Sequence, residues 1–202
     1  MSIPPKLLDD AALESSSVVA HRFMNREREL RGGNGYAREI GFDAFDFLAE
    51  RASDRPHARW LDLCCGSGRA LIDAARLATE HGLDERITIR GIDLVGHFAR
   101  APRELACLEL ATASLHRFDT SERYDLITCV HGLHYVGDKL GLLARACRWL
   151  AEDGVLSRRS TSARCASQIG PIRRDEWRML SARAASTSTR AATACAAPVR
   201  AR

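Results

Sequence analysis

No stretch of the 202 residues is apolar for long enough to cross a bilayer, since spanning the hydrocarbon core as a helix takes about 20 consecutive apolar residues. The opening Met1-Ser2-Ile3-Pro4-Pro5-Lys6 also has no apolar segment of the secretory type. These two absences lead to the expectation of a soluble, cytoplasmic protein with no membrane partner. Cysteine is present without a pairing pattern: the seven, at 64, 65, 107, 129, 147, 165 and 195, are odd in number and contain no Cys-x-x-Cys spacing. Neither a disulfide framework nor a zinc site is indicated, so no metal is expected and the cysteines read as buried thiols. Aromatic residues make up only 6% of the chain.

Acid and bulk are both scarce in the last quarter. Residues 157–202 hold 10 Lys/Arg against 2 acids, with 11 Ala and 11 Ser or Thr, whereas residues 1–156 hold 20 and 24. The only large apolar side chains there are Ile169, Ile172, Trp177, Met179, Leu180 and Val199. Such a segment buries too little surface to offset its ordering entropy, and disorder is the expectation. A basic tail attracts phosphate, so nucleic-acid binding is one function to weigh. The lack of aromatics interleaved with the arginines, Trp177 apart, makes it the weakest. Three segments follow: an N-terminal helical segment over 1–57, a folded domain over 58–156 and a basic tail over 157–202.

What the chain does have centres on Arg59-Trp60-Leu61-Asp62-Leu63-Cys64-Cys65-Gly66-Ser67-Gly68-Arg69. An apolar run ends in Asp62, a turn with two glycines follows, and a helical pattern starts at Arg69, which reads as strand, turn, helix. Gly66 and Gly68 let the chain reverse sharply and let a ligand approach bare backbone, with the free N–H groups of the next helix ready for an anionic group. Asp62, a fixed negative charge ahead of the turn, repels a pyrophosphate and attracts an amino group. A ligand with both ammonium and carboxylate is an amino acid.

In chain order, residues 7–30 read as a helix on an imperfect apolar stripe, and Arg31-Gly32-Gly33-Asn34-Gly35 breaks it. A second helix is expected over 36–52. Residues 69–81 read as a helix on the sheet, and Ile87-Thr88-Ile89-Arg90-Gly91-Ile92-Asp93-Leu94 as a β-branched strand ending in an acid. Alternating strands and helices imply parallel strands with right-handed crossovers, which set the ends of the first two strands side by side. Asp93 then stands beside the glycine turn, where a carboxylate can accept both hydroxyls of a ribose. A nicotinamide-binding domain uses a similar acid, but Leu71 stands where its third glycine belongs. Its acid also falls about 20 residues on, earlier than Asp93.

Asp62-Leu63-Cys64-Cys65-Gly66-Ser67-Gly68 resembles the first motif of the class I S-adenosylmethionine-dependent methyltransferases, Asp/Glu-x-Gly-x-Gly-x-Gly, with Cys64 in place of the first glycine. A small side chain is accommodated there if the residue keeps a negative φ. Arg123-Tyr124-Asp125-Leu126-Ile127-Thr128-Cys129-Val130-His131-Gly132-Leu133-His134-Tyr135 is similar to the family's fourth strand and following turn. Trp149-Leu150-Ala151-Glu152-Asp153-Gly154-Val155-Leu156 is similar to its entry into strand five.

The resemblance covers about 58–156 and implies an α/β, Rossmann-like, doubly wound and mostly parallel sheet. N-terminal helices precede it, and its C-terminal edge is atypical and incomplete. It implies S-adenosyl-L-methionine as cofactor, held by Asp62, Cys64, Gly66, Gly68, Asp93, Leu94, Ser114, Leu115, Cys129 and Val130. Methyl transfer to a small-molecule acceptor is the implied activity. The third strand, 108–113, ends at Ala113-Ser114-Leu115 without the carboxylate that many members place against adenine, so Ser114 or backbone groups are expected to substitute. His131 is the candidate general base, His134 and Tyr135 are expected to orient the loop, and Arg26, Tyr36 and Arg38 are candidates for the acceptor pocket. No Asn/Asp-Pro-Pro-Tyr follows the fourth strand, which argues against the DNA and glutamine N-methyltransferases. Past Ser157 the family's helix and antiparallel hairpin have no counterpart in the pattern, so strand five is expected to be a stub with an open edge. A cofactor-binding remnant with little activity is therefore the alternative function. The acceptor and the oligomeric state are not legible.

Overall fold

A computed structural model describes residues 9–16, 27–130, 132–158 and 172–173. Five parallel strands form the sheet: β1 (Ala58–Leu63), β2 (Ile87–Asp93), β3 (Leu108–Thr112), β4 (Tyr124–Cys129) and β5 (Leu150–Arg158). A two-residue strand, β6 (Ile172–Arg173), pairs antiparallel with β5, and the order across the sheet is β3-β2-β1-β4-β5-β6. The order reverses between β1 and β4, and in open sheets of this kind ligands bind beyond the strand ends at such a point.

Alternating side chains of the central strands divide the core in two. Trp60 and Leu126 face one layer with Leu71, Ala74 and Ala75 of α4 (Arg69–Glu80) and Leu48 of α3 (Ala44–Asp54). Leu61, Leu63 and Ile127 face the other, with Leu142, Ala146 and Trp149 of α5 (Lys139–Trp149). Helices on both faces make the sheet doubly wound. β1 and β4, buried almost throughout, read as apolar runs for that reason. Among the described residues no helix is long and apolar enough to cross a membrane.

Three expectations need correction. Of the helix expected over 7–30, α1 (Asp10–Glu14) is present among the described residues, while 7–8 and 17–26 lie outside them. Ser15 and Ser16 turn their hydroxyls back onto the carbonyls of Ala12 and Leu13 at 3.1 and 2.6 Å, and Glu27–Leu30 are not helical. Such back-bonding serines compete with the helical ladder. The helix over 36–52 is two: α2 (Tyr36–Ile40) stops at Gly41 with φ +87°, and α3 starts behind Asp43, whose carboxylate caps the N–H groups of Phe45 and Asp46. Strand five, expected as a stub, is nine residues long. It enters at Leu150, opposite Tyr124, bulges over 151–154 and runs on to pair Ser157 with Thr128 and Arg158 with Cys129. Pairing to β4 outweighs the poor strand propensity of Ser157 and Arg158. Its outer edge is partly covered by β6, while most of the tail expected to be disordered lies outside the described residues.

Candidate active site

The turn after β1 takes its shape from three left-handed residues at alternate positions. Cys64, Gly66 and Gly68 have φ of +64°, +60° and +74°. Cys64 is the one non-glycine with positive φ among the described residues, so the expectation of a negative φ is overturned. The backbone here demands the left-handed region whichever residue occupies it, and the cysteine bears a strain of about 1–2 kcal/mol. Room for its side chain comes from Gly132, where a Cβ would stand 2.0 Å from that of Cys64. Gly68 caps α4, and a Cβ there would meet Leu110 at 2.9 Å.

Asp93 ends β2 beside this turn, as the parallel topology requires. One carboxylate oxygen accepts from the Gly66 N–H at 2.9 Å and the other from the Val95 N–H at 2.9 Å. These bonds fix the carboxylate's orientation beside the turn, and the residue is only 5% exposed. Leu94, half-buried, opens the loop that follows.

Asp62 lies deeper, with no exposed surface. Its Oδ2 accepts from the Tyr36 hydroxyl at 2.6 Å and its Oδ1 from the Thr128 hydroxyl at 2.5 Å, while Thr128 accepts from the Trp60 indole N–H at 2.8 Å. Burial pushes the Asp62 carboxyl up to about 7; the two hydroxyls pull it down and the charge of Asp93 pushes it further up. Burial also drives the Tyr36 phenol well above its ordinary value, with the Asp62 charge adding to it. Tyr36 comes from α2, so the N-terminal segment is tied to the end of the sheet by a buried hydrogen bond.

The turn thus combines left-handed backbone at all three glycine positions of the motif with an acid anchored to it by a backbone N–H. A family model described as "Methyltransferase domain" matches residues 33–192. The chain belongs to the methyltransferase domain family. Among solved structures, coclaurine N-methyltransferase bound to N-methylheliamine and SAH is 21% identical, covering 56% of this chain and 34% of that one at a TM-score of 0.44. The [4+2]-cyclase SpnF is 21% identical over 65% of this chain and 48% of its own, at a TM-score of 0.46. A SAM-dependent methyltransferase from Thiobacillus denitrificans, in complex with S-adenosyl-L-homocysteine, is 25% identical over 56% and 47%, at 0.38. This methyltransferase domain therefore spans between a third and a half of the length of those structures. No curated protein matches the chain.

The remaining candidates of this methyltransferase domain fall into three groups. Cys129, which ends β4, Val130 just past it, and Leu115, after β3, are buried in the two cores. A hydrogen bond with Cys129 and burial hold the Cys64 thiol well above its ordinary value, and burial does the same for Cys65. The five described cysteines are free thiols. Arg38 is exposed and donates to the Gly33 carbonyl, and His134 is exposed, its ring tilted against that of Tyr135 with centroids 3.8 Å apart. His131 and Arg26 lie outside the described residues.

Two partners were missed from the sequence. Thr128 sits in an apolar strand with nothing local to mark it, and only its register opposite Asp62 explains it. Glu14 accepts from the Ser114 hydroxyl at 2.6 Å across 100 residues of chain. No sequence pattern announces that contact.

Proposed function

We propose that this chain is an S-adenosylmethionine-dependent methyltransferase acting on a small-molecule acceptor, with the site at the C-terminal ends of β1, β2 and β4. The single observation that supports it most is Asp93, held by the Gly66 N–H at the mouth of a left-handed turn. A carboxylate so anchored keeps lone pairs for a vicinal diol. The donor set also suits a cationic ligand. Asp62 and Asp93 are close enough for one charge to raise the other's proton affinity, and an ammonium or sulfonium relieves that repulsion where a pyrophosphate would add to it.

The cofactor, when bound, supplies a methyl group on a positively charged sulfur. Asp93 takes the ribose hydroxyls, with Leu94 beside it. Cys64, Gly66 and Gly68 shape the turn that would receive the amino-acid end. Asp62 acts from beneath as the anchor of Tyr36; its own oxygens are already occupied by two hydroxyls. Leu115, Cys129 and Val130 keep the floor apolar and dry. Such a reaction needs mainly an acceptor held in line with the methyl group in a water-poor pocket. A base is required only when the acceptor must lose a proton, and His131, between Val130 and Gly132 in sequence, is the candidate.

The test is formation of S-adenosylhomocysteine from S-adenosylmethionine with a panel of small amines, phenols and thiols, comparing wild type with Asp93→Ala. Acceptor-dependent turnover that falls about 100-fold or more in Asp93→Ala is expected, the two hydroxyl contacts each being worth roughly tenfold or more. Tight cofactor binding with no turnover for any acceptor would favour the cofactor-binding remnant.

A further inference from the structure

We propose that Glu14, on the N-terminal helix α1, is the acceptor for the exocyclic amino group of the adenine ring. This rests on the cofactor reading of the Asp93 site. β3 runs beside β2 with Thr112 opposite Asp93, and the next residue, Ala113, donates its N–H to the Asp93 carbonyl at 2.9 Å. A nucleoside whose ribose was held by Asp93, with its amino-acid end over the turn after β1, would have the loop that starts at Ala113 beside its base, one strand over.

That loop offers Ser114, and the Ser114 hydroxyl is already committed. It accepts from the His116 N–H at 3.2 Å and donates its one proton to Glu14 Oε1 at 2.6 Å. The Ser114 carbonyl receives the N–H groups of Arg117 and Phe118 at 3.1 and 2.9 Å. An amino group arriving here needs an acceptor with capacity to spare, and an ionised carboxylate has about four lone-pair sites. Glu14 has just given one of them to Ser114. The Ser114 bond also fixes where the carboxylate stands, so Ser114 is a positioning residue and Glu14 the contact. The arrangement accounts for the lack of an acid at the end of β3: the charge is delivered from α1, from the other end of the chain.

The assignment predicts selectivity between two ligands that differ only along the N1–C6 edge of the base. S-Adenosylhomocysteine carries an amino group at C6 of the base, and its inosine analogue carries a carbonyl oxygen, which a carboxylate repels. Titration calorimetry on the full chain is expected to show the adenosine compound binding at least about tenfold more tightly. In Glu14→Ala, affinity for the adenosine compound falls about tenfold and the preference collapses to within about threefold, while Ser114→Ala keeps the preference with weaker binding. Because Glu14 lies outside both cores, a melt as cooperative as that of wild type is expected from each variant. Equal weakening of both ligands by Glu14→Ala would mean that α1 merely covers the site, and unchanged binding would mean no contact; either overturns the proposal and leaves the cofactor reading intact. Failure of wild type to bind the adenosine compound would overturn both.

Discussion

Cys64 occupies a position that the backbone reserves for glycine. At φ +64° a side chain costs about 1–2 kcal/mol, and replacing it with glycine returns roughly 0.5–1 kcal/mol of that as extra freedom of the unfolded chain. Cys64→Gly is therefore expected to leave the urea midpoint unchanged or raise stability by up to about 1 kcal/mol. Cys64→Val, with a β-branched side chain pressed against Gly132, is expected to lower it by more than about 2 kcal/mol. A glycine variant markedly less stable than wild type would show that the thiol contact with Cys129 outweighs the strain. The motif made the turn legible, but not the sign of φ, because cysteine's own preference pointed the other way. The Gly132 that makes room for it comes from a distant segment.

Asp62 gives a pH dependence of definite sign. Its carboxyl titrates near 4 in the unfolded chain and at about 7 in the folded one. Between these values the folded state holds a proton that the unfolded state has released, so this group's contribution to stability falls as pH rises from about 4 to about 7. Asp62→Asn, which keeps the shape without the ionisation, is expected to flatten that decline. Urea midpoints at pH 5 and pH 8 would check it, and equal declines in both proteins would contradict it. Tyr36→Phe removes a donor to the ionised form and is expected to steepen the decline in the same measurement.

At the scale of elements, the helices and strands that could be read were those whose pattern is local. The amphipathic run of α4 and the β-branched run of β2 have bounds within a residue of expectation. α2 and α3 were merged because their apolar positions continue across the break. The stop at Gly41 and the cap at Asp43 are short signals that the apolar pattern obscured. Asp43→Ala is expected to destabilise by about 1 kcal/mol through loss of the cap, measurable by thermal unfolding; no change would mean that the α3 start is held by packing of Phe45 and Leu48 alone. The C-terminal end of α3 is fastened differently. Arg51 and Arg55 both bind Asp153 in the bulge of β5, and Arg55 also reaches Asp125 at 3.1 Å. The hydrogen bond from Arg55, with those of Arg51 beside it, lowers Asp153 to about 2. Stability from this group is present above the unfolded value near 4 and is lost as pH falls through about 2. Partial exposure keeps it small. β5 could not be read to its end because its last residues are strand-forming only against β4.

For the whole molecule, the order β3-β2-β1-β4-β5-β6 brings the ends of β1 and β2 together beside the switch point between β1 and β4, so the Asp93 arm of the candidate site followed from topology. What did not follow was the contribution of the N-terminal segment. Tyr36 to Asp62 and Glu14 to Ser114 are long-range contacts between residues that carry no local signal, and they bring α2 and α1 to the strand ends. The central claim, that these strand ends hold S-adenosylmethionine, is tested most directly by a thermal-shift titration of the full chain with S-adenosylhomocysteine, against Asp93→Ala. A ligand that binds only the folded state adds about 2.7 kcal/mol at a hundredfold excess over its dissociation constant. The expected result is a saturable rise in melting temperature for wild type that is lost in the variant. A cooperative melt that does not move with ligand would contradict the account.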